Sequence, residues 1–446
     1  MQRFALKKGL TLSITGGLTN ATEVTPDVKT VALLGDDYIG LKPRLAVEVG
    51  DQVVAGTPVF SHKDSPLVQV VSPVSGRIKA INRGARRKLV SVEIEVGGEG
   101  APIDFSAVGD SSSADGLAER LATAGLWTSF RTRPYSKVPE IEARPSAIFV
   151  TAMDSEPLAA DPAPIIRAQA DAFVEGLKAI ARLSEGKTYL CRETGADVPG
   201  ADLAEVEQAE FSGPHPAGLA GTHIHFLEPL HGDKSVWTIG YQDVIAIGRL
   251  LQTGTYDAAR VIALTGPMCA NPTLVRTIVG ASMDDIAAAE MPFDRPVRMI
   301  SGSVLSGRMG QGADGYLSRY ARQVTLIEED HKQIPMGWIR PMFSKYAVQP
   351  VLGSAMSKRL FPLTSNLNGG RRAMVPVGTF ETLMPQDYLP TQLLRALLTM
   401  DTDQAQALGA MELDEEDLGL AGFACPAKYE YGLALRDCLA TIEKEG

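Results

Sequence analysis

The stretch VEVGDQVVAGTPVF (47–60), followed by SPVSGRI (72–78), decides how the first hundred residues are read. Apolar residues come in short runs cut by glycine and proline, which is the pattern of strands about five residues long joined by tight turns. Outward from this core the pattern continues from Thr30 to Val96, through VALLG, TPVFSH, LVQVVSP, GRIKAI and LVSVEIEV. A small barrel or sandwich is predicted there.

The two quoted pieces look like the halves of a biotinyl or lipoyl carrier domain. A carrier holds its prosthetic group on a lysine at an exposed hairpin tip. Counting back from SPVSG puts that tip near Asp64 and Ser65, and the lysine close by is Lys63 in SHKDSP. Its register is wrong and its neighbours do not fit, so the barrel reads as a structural module without a swinging arm.

Beyond the barrel, GGEGAPIDFSAVGDSSSADG reads as a linker. The period then changes. PSAIFVTAMDSEP and KTYLCRE are strand-like, PIIRAQADAFVEGLKAIARL is helical, DVIAIGRLLQTG is a helix closed by Gly254, and AARVIALTGP is one more buried strand. Strand and helix in alternation predict a doubly wound, Rossmann-like α/β domain. From Pro267 to about Asp330 the strands PVRMISGSVLSG and RQVTLIEED, with a helical piece near MDDIAAAEM, suit a small β-grasp-like (SLBB-type) module. The tail from Pro385 has helical spacing and predicts a bundle. The expected fold class is a multidomain α/β protein: a barrel-sandwich over 1–100, the α/β domain over 101–265, the β-grasp-like module over 266–335, and a linker with a helical domain over 336–446.

The chain has 446 residues, with 43 Lys and Arg against 53 Asp and Glu, a formal net charge of -10. That balance argues against a general nucleic-acid binder, whose affinity rests on neutralising phosphates. The local exception is Arg83, Arg86, Arg87 and Lys88, read as a solvated hairpin or a docking patch for an acidic partner or headgroups. MQRFALKKGL lacks an unbroken apolar run, so no secretory signal is expected, and WTIGYQDVIAIGRLL is too short and too charged to span a membrane. Cys191, Cys269, Cys425 and Cys438 are scattered without a CxxC pair, which fits a reducing cytoplasm and argues against a cluster or zinc-thiolate site.

GQGADG, Gly310 to Gly315, formally matches GxGxxG, but a dinucleotide site needs a strand before it and a helix opening on it. Here only YLSRYARQ, about two helical turns, precedes the next strand. GPHPAGLAGTHIHFLEPLHG holds His215, His223, His225 and His231. In an extended segment His223 and His225 share a face with Glu228 in reach, so a metal site stands beside the reading in which these histidines order the turn. The acidic run ELDEED (412–417) reads as a solvated helix start. No P-loop, nucleophile elbow or zincin helix is present.

Several long motifs carry a resemblance: RVIALTGP, HPAGLAGTHIHFL, ISGSVLSG, RRAMVPVGTFETLMPQDYLPTQLLRALL and CPAKYEYGLALRDCLATIEKEG, in order with SPVSGRIKAINRGARR. Together they resemble the A subunits of bacterial sodium-translocating NADH:quinone reductases over Lys7 to Gly446. The resemblance implies a peripheral subunit on the cytoplasmic side of the inner membrane in a six-subunit complex, partnered by the B to F subunits and above all by the B subunit. It implies that NADH, FAD, FMN, riboflavin, an iron–sulfur centre, ubiquinone and Na+ are handled by those other subunits, while this chain holds no redox cofactor. Related flavin and cluster proteins hold FMN phosphate on a glycine-rich loop; the corresponding stretch here, Gly125 to Glu140, lacks those glycines, and Cys425 looks like a remnant of a cluster-binding run. The family's link to quinone reduction makes Arg133, His223 and His225 the expected quinone hydrogen-bond donors, with no catalytic residue expected. The alternative is a self-sufficient flavin- or NAD-dependent oxidoreductase using Gly310 to Gly315.

Overall fold

The computed structural model describes residues 1–19, 22–232, 234–336, 345–349 and 359–445. Residues 47–78 form the predicted small β structure. A four-stranded sheet (Thr30–Leu34, Leu89–Val96, Gly76–Arg83, Gln52–Val53) shares one core with a three-stranded sheet (Pro43–Leu45, Pro58–His62, Gln69–Val71). Val31, Val59, Phe60, Val92 and Ile94 are fully buried there; Val92 and Ile94 follow the alternation of a strand, whereas the successive Val59 and Phe60 lie at a register shift against Gln69–Val71. Gly56 turns the chain between strands at φ +94°, a region glycine enters without steric cost, and its N–H donates to the Ser72 carbonyl at 2.9 Å.

A second sheet runs in the order Gln2–Ala5, Val206–Ser212, Lys187–Glu193, Ala147–Ala152, Val236–Gly240, Arg131–Arg133; the first five strands are parallel and the last is an antiparallel edge. Both faces are covered. Ile148 and Val150 pack with the helices Ala170–Ala181 and Tyr241–Thr253, while Ala147, Phe149 and Phe211 pack toward the helix Ala220–Leu227. The Tyr241–Thr253 helix ends on Gly254 at φ +76°, as its sequence predicts.

A third sheet has the order Arg308–Met309, Val297–Ser301, Gln323–Glu328, Ala259–Thr265, Thr273–Ile278, Glu23–Val24. Two strands depart from the sequence-based division. Ala259–Thr265, expected in the α/β layer, pairs antiparallel with Thr273–Ile278 in this third sheet. It is buried on both faces, and burial alone does not tell which sheet a strand joins. Gln2–Ala5, expected with the barrel, lies parallel to Val206–Ser212.

The C-terminal residues form short helices, Thr379–Leu383, Pro390–Thr399, Thr402–Ala407, Gly419–Ala424 and Tyr431–Glu445, around Leu393, Leu397, Tyr431, Leu435 and Leu439. Among the described residues no helix is long and apolar enough to cross a membrane.

Candidate functional site

Two of the three expected quinone donors, Arg133 and His225, enter an interdomain lock, and His223 packs within the α/β layer. Arg133 ends the edge strand Arg131–Arg133 and is completely buried. Its Nη1 donates to Ser136 Oγ at 2.5 Å, and its Nη2 lies 3.3 Å from Asp414 Oδ2. Arg131 Nη1 reaches the same oxygen at 3.0 Å, and Arg436 Nη2 reaches Asp414 Oδ1 at 2.7 Å. Burial pushes the Asp414 carboxyl up, but the guanidiniums of Arg133, Arg131 and Arg436 together outweigh it and hold the group well below the usual carboxylate range. Next to it, burial pushes the Asp417 carboxyl up to about 7, with Glu416 and Asp414 adding repulsion against the pull of Arg133.

His225 enters the same interface from a helix. Ala220–Leu227 is helical, so His223 and His225 point to different sides and the shared face expected of an extended segment does not form. His225 Nδ1 lies 2.9 Å from Glu412 Oε2, and its Nε2 accepts from the Asp387 amide at 3.0 Å, which fixes Nδ1 as the donor. Glu412 also accepts from the Leu230 amide at 2.9 Å and from the Tyr388 hydroxyl. His223 is fully buried, donates from Nε2 to the Ala217 carbonyl at 3.0 Å, and packs its ring 4.4 Å from that of Phe211. Burial holds its pKa down near 3, so it stays neutral. Glu228 turns away, toward Lys234 at 3.6 Å, and His215 Nδ1 contacts Ser155. Among the described residues no group of three or more His, Cys, Asp or Glu side chains is placed to hold a metal.

The acidic run does start a helix, the 3-10 turn Glu415–Leu418 in which Asp414 and Asp417 cap each other's amides, but it is a buried seam and not a solvated one. Glu412, Asp414 and Asp417 are each no more than 5% exposed. Sequence reasoning missed this because carboxylates near a helix start satisfy a local rule, whereas their partners Arg131, Arg133 and His225 lie almost two hundred residues or more away.

The stretch expected to match a flavin loop is packed core. Trp127 and Phe130 are fully buried against Trp237, with ring centroids 5.4–5.5 Å apart. A Cβ on Gly125, at φ +78°, would lie 2.8 Å from Val71 Cγ2, so this glycine admits the barrel rather than a phosphate. These residues do not fit a flavin phosphate. Cys425 is buried with Sγ 3.1 Å from the Tyr431 hydroxyl, and all four cysteines are free and buried. In GQGADG the two-residue strand Arg308–Met309 leads to a single 3-10 turn, Gly312–Asp314; a Cβ on Gly310 would collide with the Met283 side chain. YLSRYARQ is not helical, so no helix N-terminus faces that loop. At the barrel, His62 Nδ1 accepts from the amides of Asp64 and Ser65 at 3.1 and 3.2 Å, shaping the tip beside Lys63.

A cleft of about 1440 Å³ lies between barrel, third sheet and C-terminal helices. Leu41, Ile300, Val304, Leu305 and Phe423 give it apolar walls. Around them stand eleven basic side chains and four acidic ones among the described residues, so a chain of net charge -10 carries a positive cleft. Arg83, Arg86, Arg87 and Lys88 form one rim at the tip of the Gly76–Arg83/Leu89–Val96 hairpin, and Lys88 alone of these pairs with an acid, Asp36 at 2.5 Å. Lys428 lies opposite; burial, and then the charges of Arg372 and Lys345, lower its pKa against the pull of Cys425. Arg133, His223 and His225 are not among the cleft's lining residues.

Three family descriptions match in succession: "NqrA N-terminal barrel-sandwich hybrid domain" over residues 4–97, "NqrA second alpha/beta domain" over 112–256, and "NQRA C-terminal domain" over 261–311. The chain is 50% identical to the Na(+)-translocating NADH-quinone reductase A subunit of Rhodopirellula baltica, across 99% of this chain and 98% of that one. It is 50% identical to the corresponding A subunit of Neisseria meningitidis serogroup A and 49% identical to that of Shewanella amazonensis, across 99% of both chains in each case. Among solved structures an NAD+-reducing [NiFe]-hydrogenase in the air-oxidized state aligns with 49% of this chain and 47% of its own at 15% identity and a TM-score of 0.34, too low to inform the fold. End-to-end identity near one half, with the barrel, α/β and third-sheet matches in the same order, makes this chain a member of the family of Na(+)-translocating NADH-quinone reductase A subunits.

Proposed function

We propose that this chain is the peripheral, cofactor-free A subunit of a sodium-translocating NADH:quinone reductase, on the cytoplasmic side of the membrane, and that its positive cleft is where a partner subunit docks. One observation carries the docking role: the cleft of about 1440 Å³ joins apolar walls to a rim of arginines, two of which, Arg86 and Arg87, have no acidic partner among the described residues. Apolar walls supply the affinity of a docked segment, and the rim steers an acidic one into register. In this reading NADH oxidation, flavin and iron–sulfur chemistry and Na+ passage belong to the other subunits, with the B subunit next to this chain and ubiquinone reduced nearby. A four-part division near residues 100, 265 and 335 goes with the proposal, with the strands Gln2–Ala5 and Ala259–Thr265 lent across its seams.

The alternative of a self-sufficient oxidoreductase loses support from GQGADG, which lacks the helix its chemistry needs. The test is assembly. The double variant Arg86→Glu, Arg87→Glu, expressed with the remaining subunits, should fold normally yet be recovered with them at about one tenth of the parental yield, an affinity loss of about 1.4 kcal/mol. Unchanged recovery would remove the cleft from the docking surface, and a stoichiometric flavin absorbance in the purified chain would remove the cofactor-free reading.

A further inference from the structure

A second, smaller opening lies at the C-terminal ends of the parallel strands Ala147–Ala152 and Val236–Gly240, where open α/β sheets bind their ligands. Its volume is about 80 Å³. Two helices begin on it, Ala220–Leu227 and Tyr241–Thr253, and neither N-cap residue caps its first turn with a side chain, although the Asp417 carboxylate lies against Gly221 of the first. Four arginines line it, Arg131, Arg260, Arg319 and Arg322, against two acids, Asp243 and Glu416.

Arg131 is held by Asp414 at 3.0 Å and Glu416 at 3.4 Å, so the lining arginines outnumber the lining acids but each has an acidic partner. Arg260 Nη2 and Arg319 Nη1 share the single oxygen Asp243 Oδ1 at 2.5 and 2.7 Å. Arg322 uses Nε on Asp154 at 3.1 Å, while its Nη1 is buried with no hydrogen-bond partner. A buried guanidinium N–H without an acceptor is costly and points to a missing one. Gly240, the residue before the Tyr241–Thr253 helix, has ordinary extended dihedrals (φ -82°, ψ 152°), and a Cβ built there meets nothing within 4 Å. The opening thus presents bare backbone, two helix starts and guanidiniums to one small volume.

We propose that this crevice binds a phosphate-class oxyanion, either inorganic phosphate or the phosphate end of a nucleotide monoester. The volume is too small for a whole nucleotide, because pockets for drug-sized ligands run to roughly 300–1,000 Å³. Strand, glycine and uncapped helix N-terminus supply N–H donors to an anion, and the arginines supply the charge. The site is separate from the docking cleft and does not depend on it.

Gly240→Val tests the proposal, since valine accepts those dihedrals and Gly240 lines the crevice with room for a Cβ. The full chain is melted in rising inorganic phosphate against chloride at equal ionic strength, with adenosine monophosphate as a second arm. The parent should gain Tm with a saturating dependence on phosphate, and Gly240→Val, with an unchanged circular dichroism spectrum and melting point in chloride, should bind about tenfold more weakly or worse. Stronger stabilisation by the nucleotide assigns the site to a monoester; stabilisation by phosphate alone assigns it to the free ion. No gain beyond chloride, or an equal gain in Gly240→Val, overturns the proposal.

Discussion

Asp414→Asn removes one negative charge from among three guanidiniums while keeping the side chain's shape. Breaking a buried ion pair from one side costs about 3–5 kcal/mol, because the abandoned charge stays buried. Here much of that is recovered: Arg131 keeps Glu416 at 3.4 Å and Arg436 keeps Glu415 at 2.8 Å. Arg133 is left worst, fully buried with Glu416 at 3.6 Å, Ser136 and the Thr132 carbonyl as its remaining partners. The expected loss is therefore at the low end, about 3 kcal/mol. Because the folded pKa of Asp414 is depressed, its stabilisation is present above the unfolded carboxylate pKa of about 3.9 and fades as pH falls below it, so parent and variant should converge in acid. A single melting point would blur domains that unfold separately, so native-state hydrogen exchange is the assay. Opening energies should drop together in the Arg131–Arg133 strand and in the helix Tyr431–Glu445. A variant within about 0.5 kcal/mol of the parent, or a loss confined to one side of the seam, would refute the lock.

Asp417→Asn should flatten the pH dependence of stability. The folded pKa near 7 is raised above the unfolded value, so this group's contribution is full in acid and is lost as pH rises through 7; a parent whose stability did not decline between pH 5 and 8 relative to the variant would contradict the assignment. Gly125→Ala places a Cβ at φ +78° against Val71 and should cost more than about 1 kcal/mol by denaturant unfolding, whereas equal stability would mean that the barrel does not bear on this turn.

Much of the architecture was legible because its signals are local. The turns of 47–78, the period change after residue 110 and the glycine closing the Tyr241–Thr253 helix each depend on residues within a few positions. Strand membership was not legible: Gln2–Ala5 and Ala259–Thr265 are recognisable as strands, yet the sheet each joins is set by pairing with residues far along the chain. The histidine segment failed for a related reason. HIHF (223–226) alternates polar and apolar over four residues, which suits a strand as well as one turn of helix, and the decision falls to packing of Ile224 and His223 against the sheet. Of the cleft, the rim Arg83, Arg86, Arg87 and Lys88 was legible as a basic run; its other walls and the smaller crevice left no motif, since they are assembled from elements distant in sequence.

The spent donors bear on where ubiquinone can meet this chain. A quinone carbonyl needs a hydrogen-bond donor that is free and reachable. His225 gives its one proton to Glu412, His223 gives its own to Ala217 from a fully buried position, and Arg133 is sealed beneath Asp414. Freeing Arg133 or His225 would break contacts that hold the C-terminal helices to the α/β layer, and freeing His223 would open the α/β layer itself, at an energy that one hydrogen bond of about 0.5–1.5 kcal/mol does not return. The cleft differs in kind: its wall is apolar, and Arg86 and Arg87 stand on its rim without an acidic partner among the described residues.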